Sequence, residues 1–181
     1  KNTEDDIDDI ADGLKDMDIN KDEKVTKCLK KHIECDKVKD IIYVGDIIKK
    51  NTKSLGKWMV DYKCSKEIMK KEKGRIYFIV IDGQIYKIGS SACKGGIKST
   101  FSFYEGGLGG SPSIRSYGIH LLIQENLDNN KKIKVYMLFI EEIKIKIRGL
   151  TSEEETTTCP QINVMEEMCR KDYKNIYGKY P

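Results

Sequence analysis

Two side chains that could move a proton flank a predicted turn in the stretch GRIYFIVIDGQIYKIGSS, residues 74–91. Tyr77 carries a phenol and Lys87 an ammonium group. A positive charge beside a phenol favours the phenolate form, which a general base needs. The Asp82-Gly83 pair between them is a strong signal for a β-hairpin. The chemistry therefore depends on whether both side chains reach the same face of that hairpin.

The register of the hairpin decides this question. In a two-residue loop at Asp82-Gly83, Tyr77 and Lys87 point to opposite faces. In a three-residue loop, residues 81–83 with Gly83 left-handed, Tyr77 stands directly opposite Lys87. We predict this second register, because it leaves one face almost wholly apolar and facing the core. That predicted core face consists of Phe78, Val80, Tyr86 and Ile88. A Tyr77/Lys87 pair that only packs across the strands is the alternative.

The elements around the hairpin predict an α+β fold. A helix is expected to begin at Ser111-Pro112, with serine as N-cap, and to run to about Leu127. The apolar stretch 132–147 is predicted to form one long strand or two, and a last helix to begin at residues 158–160. The order β-β-α-β-α predicts a small mixed α/β arrangement: a three-stranded antiparallel-type sheet flanked by helices.

Charge and composition divide the chain into three parts. Residues 1–22 hold nine acidic residues and three lysines, a net charge of −6, whereas the whole chain carries +4. We interpret residues 1–22 as an acidic, mobile leader, residues 23–73 as an N-terminal helical arm and residues 74–181 as the main domain. A basic body suits a polyanionic partner. A solvated lysine-rich surface explains the same charge.

Cysteine usage and hydropathy bear on the compartment. The six cysteines are scattered without a CxxC pair, which favours reduced, structural thiols. No apolar run approaches the ~20 residues that span a membrane. We expect a soluble, cytoplasmic protein that does not bind membranes.

On these residues the chain resembles the GIY-YIG nuclease family. Residues 75–77 (Arg-Ile-Tyr) stand where the family has Gly-Ile-Tyr, and residues 87–89 (Lys-Ile-Gly) stand where it has Tyr-Ile-Gly. A Lys-Ile-Gly second motif is similar to that of the type II restriction endonucleases of the family. The resemblance runs from about residue 74 to residue 173. It implies an endonuclease that hydrolyses DNA phosphodiester bonds at a specific sequence, with one Mg²⁺ or Mn²⁺ ion per active site.

The resemblance also implies roles for single residues. Tyr77 would be the general base that takes a proton from the attacking water, and Lys87 would orient that water. The family's arginine, which stabilises the pentacovalent phosphorus, has no match in this chain. Lys98 is the nearest cation to that position, and Arg115 is a second candidate.

The metal-binding glutamate of the family falls on Gln161, which is a poor sole ligand for a hard cation. Three explanations stay open. Gln161 could replace a natural glutamate in an inactivated variant. Glu166 or Glu167 could be the ligand in a shifted alignment, although Glu166 lies ~140° around the helix from Gln161. The protein could also bind DNA without cutting it.

Further residues are candidates for DNA contact, and the partners follow from the implied activity. The candidate DNA-binding residues are Arg75, Tyr104, Arg115 and His120. For Tyr104 and His120, a role in the core is the alternative. The expected partners are double-stranded DNA, a second copy of the chain in a homodimer and a cognate DNA methyltransferase. Rival interpretations are a non-catalytic DNA-binding module, a repair or mobile-element enzyme specific for DNA structure, and a protein-interaction domain.

Overall fold

The computed structural model describes residues 33–51, 57–105, 113–151 and 153–181. The predicted leader, 1–22, and the predicted helix start at Ser111-Pro112 lie outside these ranges. Seven strands are described: β1 (Ile41–Lys49), β2 (Trp58–Tyr62), β3 (Arg75–Ile81), β4 (Gln84–Ser91), β5 (Ile133–Phe139), β6 (Glu142–Ile147) and β7 (Glu155–Pro160). The α-helices are α1 (Lys66–Lys70), α2 (Gly96–Glu105), α3 (Ile114–Asp128) and α4 (Ile162–Tyr177), and a single 3-10 turn covers Cys35–Lys37.

The main sheet has five antiparallel strands in the order β2-β1-β5-β3-β4. The α+β class is confirmed, but the prediction of three strands was wrong. The two additional strands, β1 and β2, come from the segment predicted to be a helical arm. β1 pairs with β5, about ninety positions further along the chain. A local sequence pattern does not reveal which strand a segment pairs with over that distance.

The sheet separates two apolar layers. Strand β3 lies near its centre and is buried along its whole length, because side chains on both of its faces are covered. One layer packs under α2 and α3 and includes Tyr77, Ile79, Ile97, Phe101, Ile123 and Met137. The other packs under α4 and includes Ile76, Phe78, Val80, Ile88, Tyr136 and Tyr173. The hairpin therefore has no open face, and a polar group on either side must lie at the rim of a core.

Two helix starts differ from the predictions. Helix α3 is capped by Ser113, whose Oγ accepts a hydrogen bond from the Ser116 N–H at 3.3 Å. Residues 158–160, which were expected to open the last helix, belong instead to strand β7, which pairs with β6. Helix α4 begins only at Ile162, with Gln161 as its N-cap residue. The stretch 132–147 forms two strands that belong to two different sheets.

Within the described ranges, no helix is both long and apolar enough to cross a membrane. The five cysteines found there carry free thiols.

Arg75 is fully buried, and its guanidinium group hydrogen-bonds to three segments around the sheet. Its Nε donates to Thr100 Oγ1 at 2.9 Å, and its Nη1 donates to the carbonyl oxygens of Lys71 and Lys73, each at 3.1 Å. Its Nη2 donates to the carbonyl oxygen of Cys93. The guanidinium thus ties the approach to β3 and the β4–α2 connection to α2. This burial corrects the prediction that Arg75 contacts DNA.

We expect Arg75→Met to lower the free energy of unfolding by on the order of 3 kcal/mol, because it leaves buried carbonyl oxygens without a donor. Arg75→Lys keeps the charge but loses the planar fork, so its loss should be smaller. Urea denaturation of both variants measures this. A methionine variant that unfolds at the wild-type urea concentration would show that these hydrogen bonds contribute nothing.

Candidate active site

A β-bulge at Tyr86 brings Tyr77 and Lys87 to the same face of the sheet. The loop has only two residues, Asp82 and Gly83, both with positive φ (47° and 85°). The register then shifts between Ile79 and Val80, so that Tyr86 has no partner on β3. Lys87 pairs with Ile79 and Tyr77 pairs with Gly89. Since Ile79 and Tyr77 alternate onto one face, Lys87 lies on that face as well.

The prediction that Tyr77 and Lys87 share one face is therefore correct, but the predicted cause, a three-residue loop, is wrong. The three-residue loop does not form, and Lys87 stands diagonal to Tyr77 instead of directly opposite. The predicted core face also loses one member, because the Tyr86 side chain is 42% exposed. A bulge adds one residue to one strand, and no turn signal in the sequence reports it.

The Tyr77 ring lies across Gly89. A Cβ added at Gly89 would overlap the hydroxyl-bearing end of that ring. The glycine of the Lys-Ile-Gly motif is thus required by space, since its backbone has an ordinary negative φ. The Tyr77 hydroxyl lies 2.7 Å from the Tyr104 hydroxyl, and either oxygen can be the donor. Phe101 packs edge-on against the same ring, with centroids 5.5 Å apart.

Burial raises the pKa of Tyr77, and the hydroxyl of Tyr104 and the carboxylate of Glu166 raise it further. Arg115 lowers it, without reversing the direction. The expectation that Lys87 lowers the pKa of Tyr77 was therefore wrong. Because the tyrosine is only 5% exposed, burial raises this pKa by more than Arg115 lowers it. Tyr77 is held as a neutral phenol until another charge arrives.

Lys87 is half-buried, and that burial lowers its pKa. Arg115 and Arg170 lower it further, and Glu166 opposes them. Arg115 is exposed at the start of α3, so its guanidinium combines access to solvent with influence on both Tyr77 and Lys87. Lys98 is exposed on α2 and does not contribute to either pKa shift. The geometry thus favours Arg115 over Lys98 as the cation of this site.

Glu166 on α4 completes the cluster. Its Oε2 accepts a hydrogen bond from Ser90 Oγ at 2.5 Å, and its charge acts on Tyr77 and Lys87. Arg170, one helical turn further on, belongs to the same group through its effect on Lys87. Glu166 was one of the alternatives predicted from the sequence, whereas Arg170 and Ser90 were not predicted. The i, i+4 spacing of Glu166 and Arg170 was the available signal for one shared helix face.

Gln161 has a different environment. Its amide nitrogen lies 3.7 Å from the Cys159 sulfur. It lines a groove together with Val164, Met165 and Met168, and neither Tyr77 nor Lys87 lines that groove. The charge of Glu166 thus acts on the tyrosine and lysine, whereas Gln161 lines a separate groove.

His120 is a structural residue. It is 3% exposed and stacks on Trp58 with ring centroids 5.3 Å apart. Its Nδ1 donates to the carbonyl oxygen of Tyr104 at 2.9 Å. The prediction that His120 contacts DNA is therefore corrected: the imidazole fixes the backbone that carries the Tyr104 hydroxyl.

No protein-family model matches this chain, and no curated protein matches it in sequence. Among solved structures, restriction endonuclease HPY188I in complex with product DNA resembles it with a TM-score of 0.50 and 23% identity, over 84% of this chain and 86% of that one. A mutant of bacteriophage T4 EndoII resembles it with a TM-score of 0.52 and 14% identity, over 82% of this chain and 100% of the other. This chain shares its fold with both. At these identities the likeness concerns the fold alone.

The cluster suits a single hard cation. Glu166 is a half-buried carboxylate whose charge acts on Tyr77 and Lys87, and it is the side chain that would hold the ion. In the described part of the chain, no group of three or more His, Cys, Asp or Glu side chains could hold a metal. Mg²⁺ retains several waters and often binds through one or two carboxylates together with substrate phosphates. The residues present fit such an ion and do not fit a closed, all-protein metal cage.

We expect Gly89→Ala to lower the free energy of unfolding by about 1–3 kcal/mol, because the new methyl group overpacks against Tyr77. In a Tyr77→Ala background the same substitution should cost almost nothing. Urea denaturation of the two single variants and the double variant measures this coupling.

Gly118→Ala is the matched control, since a Cβ at Gly118 meets nothing within 4 Å on the exposed surface of α3. It should be stabilising by about 0.5–1 kcal/mol. Equal losses from Gly89→Ala with and without the Tyr77 ring would show that Gly89 is required for another reason.

Proposed function

We propose that this protein is a divalent-metal-dependent DNA endonuclease of the GIY-YIG type. The observation that carries the proposal is the electrostatic coupling of Tyr77 and Lys87, which share one sheet face, to Arg115 on α3 and Glu166 on α4. These are a phenol, two cations and a carboxylate, which are the parts that phosphodiester hydrolysis requires. They come together only through tertiary structure, so their meeting supports a function beyond packing.

DNA is the proposed substrate class. One solved structure with this fold is a restriction endonuclease in complex with product DNA. The charge distribution agrees with a polyanionic partner, since the chain carries +10 outside its first 22 residues. Cleavage of both strands with one active site per chain leads us to propose a homodimer, whose two-fold symmetry a palindromic target would match.

In the proposed mechanism, the phenolate form of Tyr77, a minor fraction at neutral pH, accepts a proton from the water that attacks the phosphorus. The Tyr104 hydroxyl, 2.7 Å from that of Tyr77, orients the Tyr77 oxygen. Lys87 orients the water, and Arg115 offers a planar fork of donors to the phosphate oxygens as charge accumulates on them. The buried surroundings of Tyr77 and Lys87 strengthen these electrostatic interactions.

Glu166 is the proposed metal ligand, held in place by the Ser90 hydroxyl. A bound Mg²⁺ or Mn²⁺ ion would neutralise phosphate charge and assist the leaving oxygen. Under this proposal Gln161 needs no replacement by glutamate, because it lines a groove that neither Tyr77 nor Lys87 lines. Arg115 takes the role that the family gives to its arginine. It lies on α3, whereas the order of the family's motifs implies a residue on α2, the helix after the Lys-Ile-Gly motif.

The test is cleavage of plasmid and phage DNA with Mg²⁺ by the wild-type chain, Tyr77→Phe and Glu166→Gln. We expect discrete fragments from the wild type and a loss of at least about 100-fold in rate from each variant, because each removes a group that acts in the transition state. Duplex binding should persist in both variants, as measured by gel shift.

Gln161→Glu is the discriminating control. If only this variant cuts, Gln161 marks the metal position and the assignment of Glu166 is wrong. If neither the wild type nor Gln161→Glu cuts while both bind duplex in a salt-sensitive manner, the protein is a non-catalytic DNA-binding module. A marked preference for a junction or lesion would favour a structure-specific enzyme.

The pH dependence follows from the direction of two pKa shifts. The raised pKa of Tyr77 makes its phenolate scarce at neutral pH, so the single-turnover rate should rise about tenfold per pH unit from about pH 6 upwards. The lowered pKa of Lys87 removes its positive charge earlier than in an ordinary lysine, so the profile should turn over at alkaline pH. A flat profile, or the same slope in Tyr77→Phe, would contradict Tyr77 as the base.

A further inference from the structure

A pocket lined by aromatic side chains lies on the α4 side of the sheet, outside the candidate active site. Its cavity volume is about 340 Å³, within the range of small-ligand pockets. The residues that line it include Tyr86, Tyr173, Tyr177 and Tyr180, together with Lys179. Tyr86 and Tyr180 are 42% and 43% exposed, whereas Tyr173 is only 7% exposed and closes the inner wall.

The bulge in β4 provides the outer wall of this pocket. Ile85 pairs with Val80 and belongs to the apolar layer under α4, and the unpaired Tyr86 lies near Tyr173 on that same side. A regular strand would send Tyr86 to the face opposite that of Ile85. The same extra residue that brings Lys87 to Tyr77 therefore leaves an exposed aromatic ring beside α4.

Cations connect the pocket to the active site along one side of α4. Glu166, Arg170 and Lys174 follow each other at i, i+4 and i+8, about 6 Å apart along the helix axis. The Arg170 guanidinium carbon lies 5.1 Å and the Lys174 Nζ lies 4.9 Å from the centre of the Tyr180 ring. The charge of Arg170 also acts on Lys87, so this residue contacts a ring of the aromatic pocket and influences the candidate active site. A weak ion pair with Glu167, at 4.0 Å, leaves most of its donors available.

We propose that this pocket binds an unpaired nucleobase of the DNA strand, while Arg170 and Lys174 hold the phosphates between that base and the cleavage site. Aromatic side chains combined with a basic track are the features by which proteins bind single-stranded nucleic acid. A base inside a duplex is stacked on both sides and cannot enter a concave pocket. The occupant is therefore an overhanging, frayed or extruded nucleotide.

This inference rests on the proposed function, because it takes DNA as the ligand and Glu166 as the end of the track. It adds a preference that the catalytic residues do not supply. The protein should bind a duplex with an unpaired nucleotide more tightly than the same duplex with blunt ends. Stacking of one base is worth a difference of about tenfold in affinity.

The test uses two DNA probes of identical sequence, one blunt and one with a single unpaired 2-aminopurine nucleotide. Each is titrated with the full chain in the presence of Ca²⁺, and anisotropy and 2-aminopurine fluorescence are recorded. We expect about tenfold tighter binding of the overhanging probe and quenching of its fluorescence by stacking. Tyr86→Leu and Tyr180→Leu should each weaken binding of the overhanging probe towards the blunt value and leave blunt binding unchanged.

Tyr117→Leu is the matched control, since Tyr117 is 38% exposed but lies on α3, away from the pocket. Thermal denaturation establishes that the variants are folded. Unchanged fluorescence, or equal weakening of both probes by Tyr86→Leu, would overturn the proposal. Its failure is distinguishable from failure of the proposed function: a chain that cuts DNA but ignores the overhang lacks only the base pocket. A chain that quenches the probe but never cuts has the pocket without the nuclease activity.

Discussion

The single extra residue at Tyr86 is the constraint on which the site depends. The tight Asp82-Gly83 turn by itself sets a register in which Lys87 would pair with Phe78 and face α4. The bulge shifts the pairing by one, so that Lys87 instead pairs with Ile79 and joins Tyr77 under α2 and α3. Because side chains alternate strictly along a strand, one inserted residue exchanges the two faces for everything that follows it. The pairing of Tyr77 with Gly89, and the space for its ring, follow from the same shift.

Burial sets the electrostatic character of the site. Strand β3 is covered on both faces, so the Tyr77 hydroxyl lies at the rim of a core and its pKa is raised instead of lowered. Lys87 responds to the same environment in the opposite direction, as a cation must. Both shifts have the same main cause, since burial disfavours the charged form of each group.

Different elements of the site were accessible to sequence reasoning to different degrees. The hairpin, the Lys-Ile-Gly motif and the shared face of Tyr77 and Lys87 were predicted from local pattern, since turn residues and alternation are local properties. Gln161 was placed on the metal position by its order in the chain, whereas Glu166 is the carboxylate that reaches Ser90. Arg75 and His120 look like surface contacts in sequence because charged and imidazole groups are mostly exposed. Here both are buried with hydrogen-bond partners.

The amino-acid sequence by itself determined the α+β class, the position of the turn and the chemical groups available for proton transfer and charge stabilisation. These follow from the φ preferences of Asp and Gly, from the alternation of β-branched residues and from the ionisable groups themselves. Only the tertiary structure decided that β1 and β2 extend the sheet, that Arg115 and not Lys98 acts on the tyrosine, and that the charge of Glu166 acts on Tyr77 and Lys87. Those outcomes depend on contacts between segments far apart in the chain. Such contacts are selected by packing of the two apolar layers and not by any local preference.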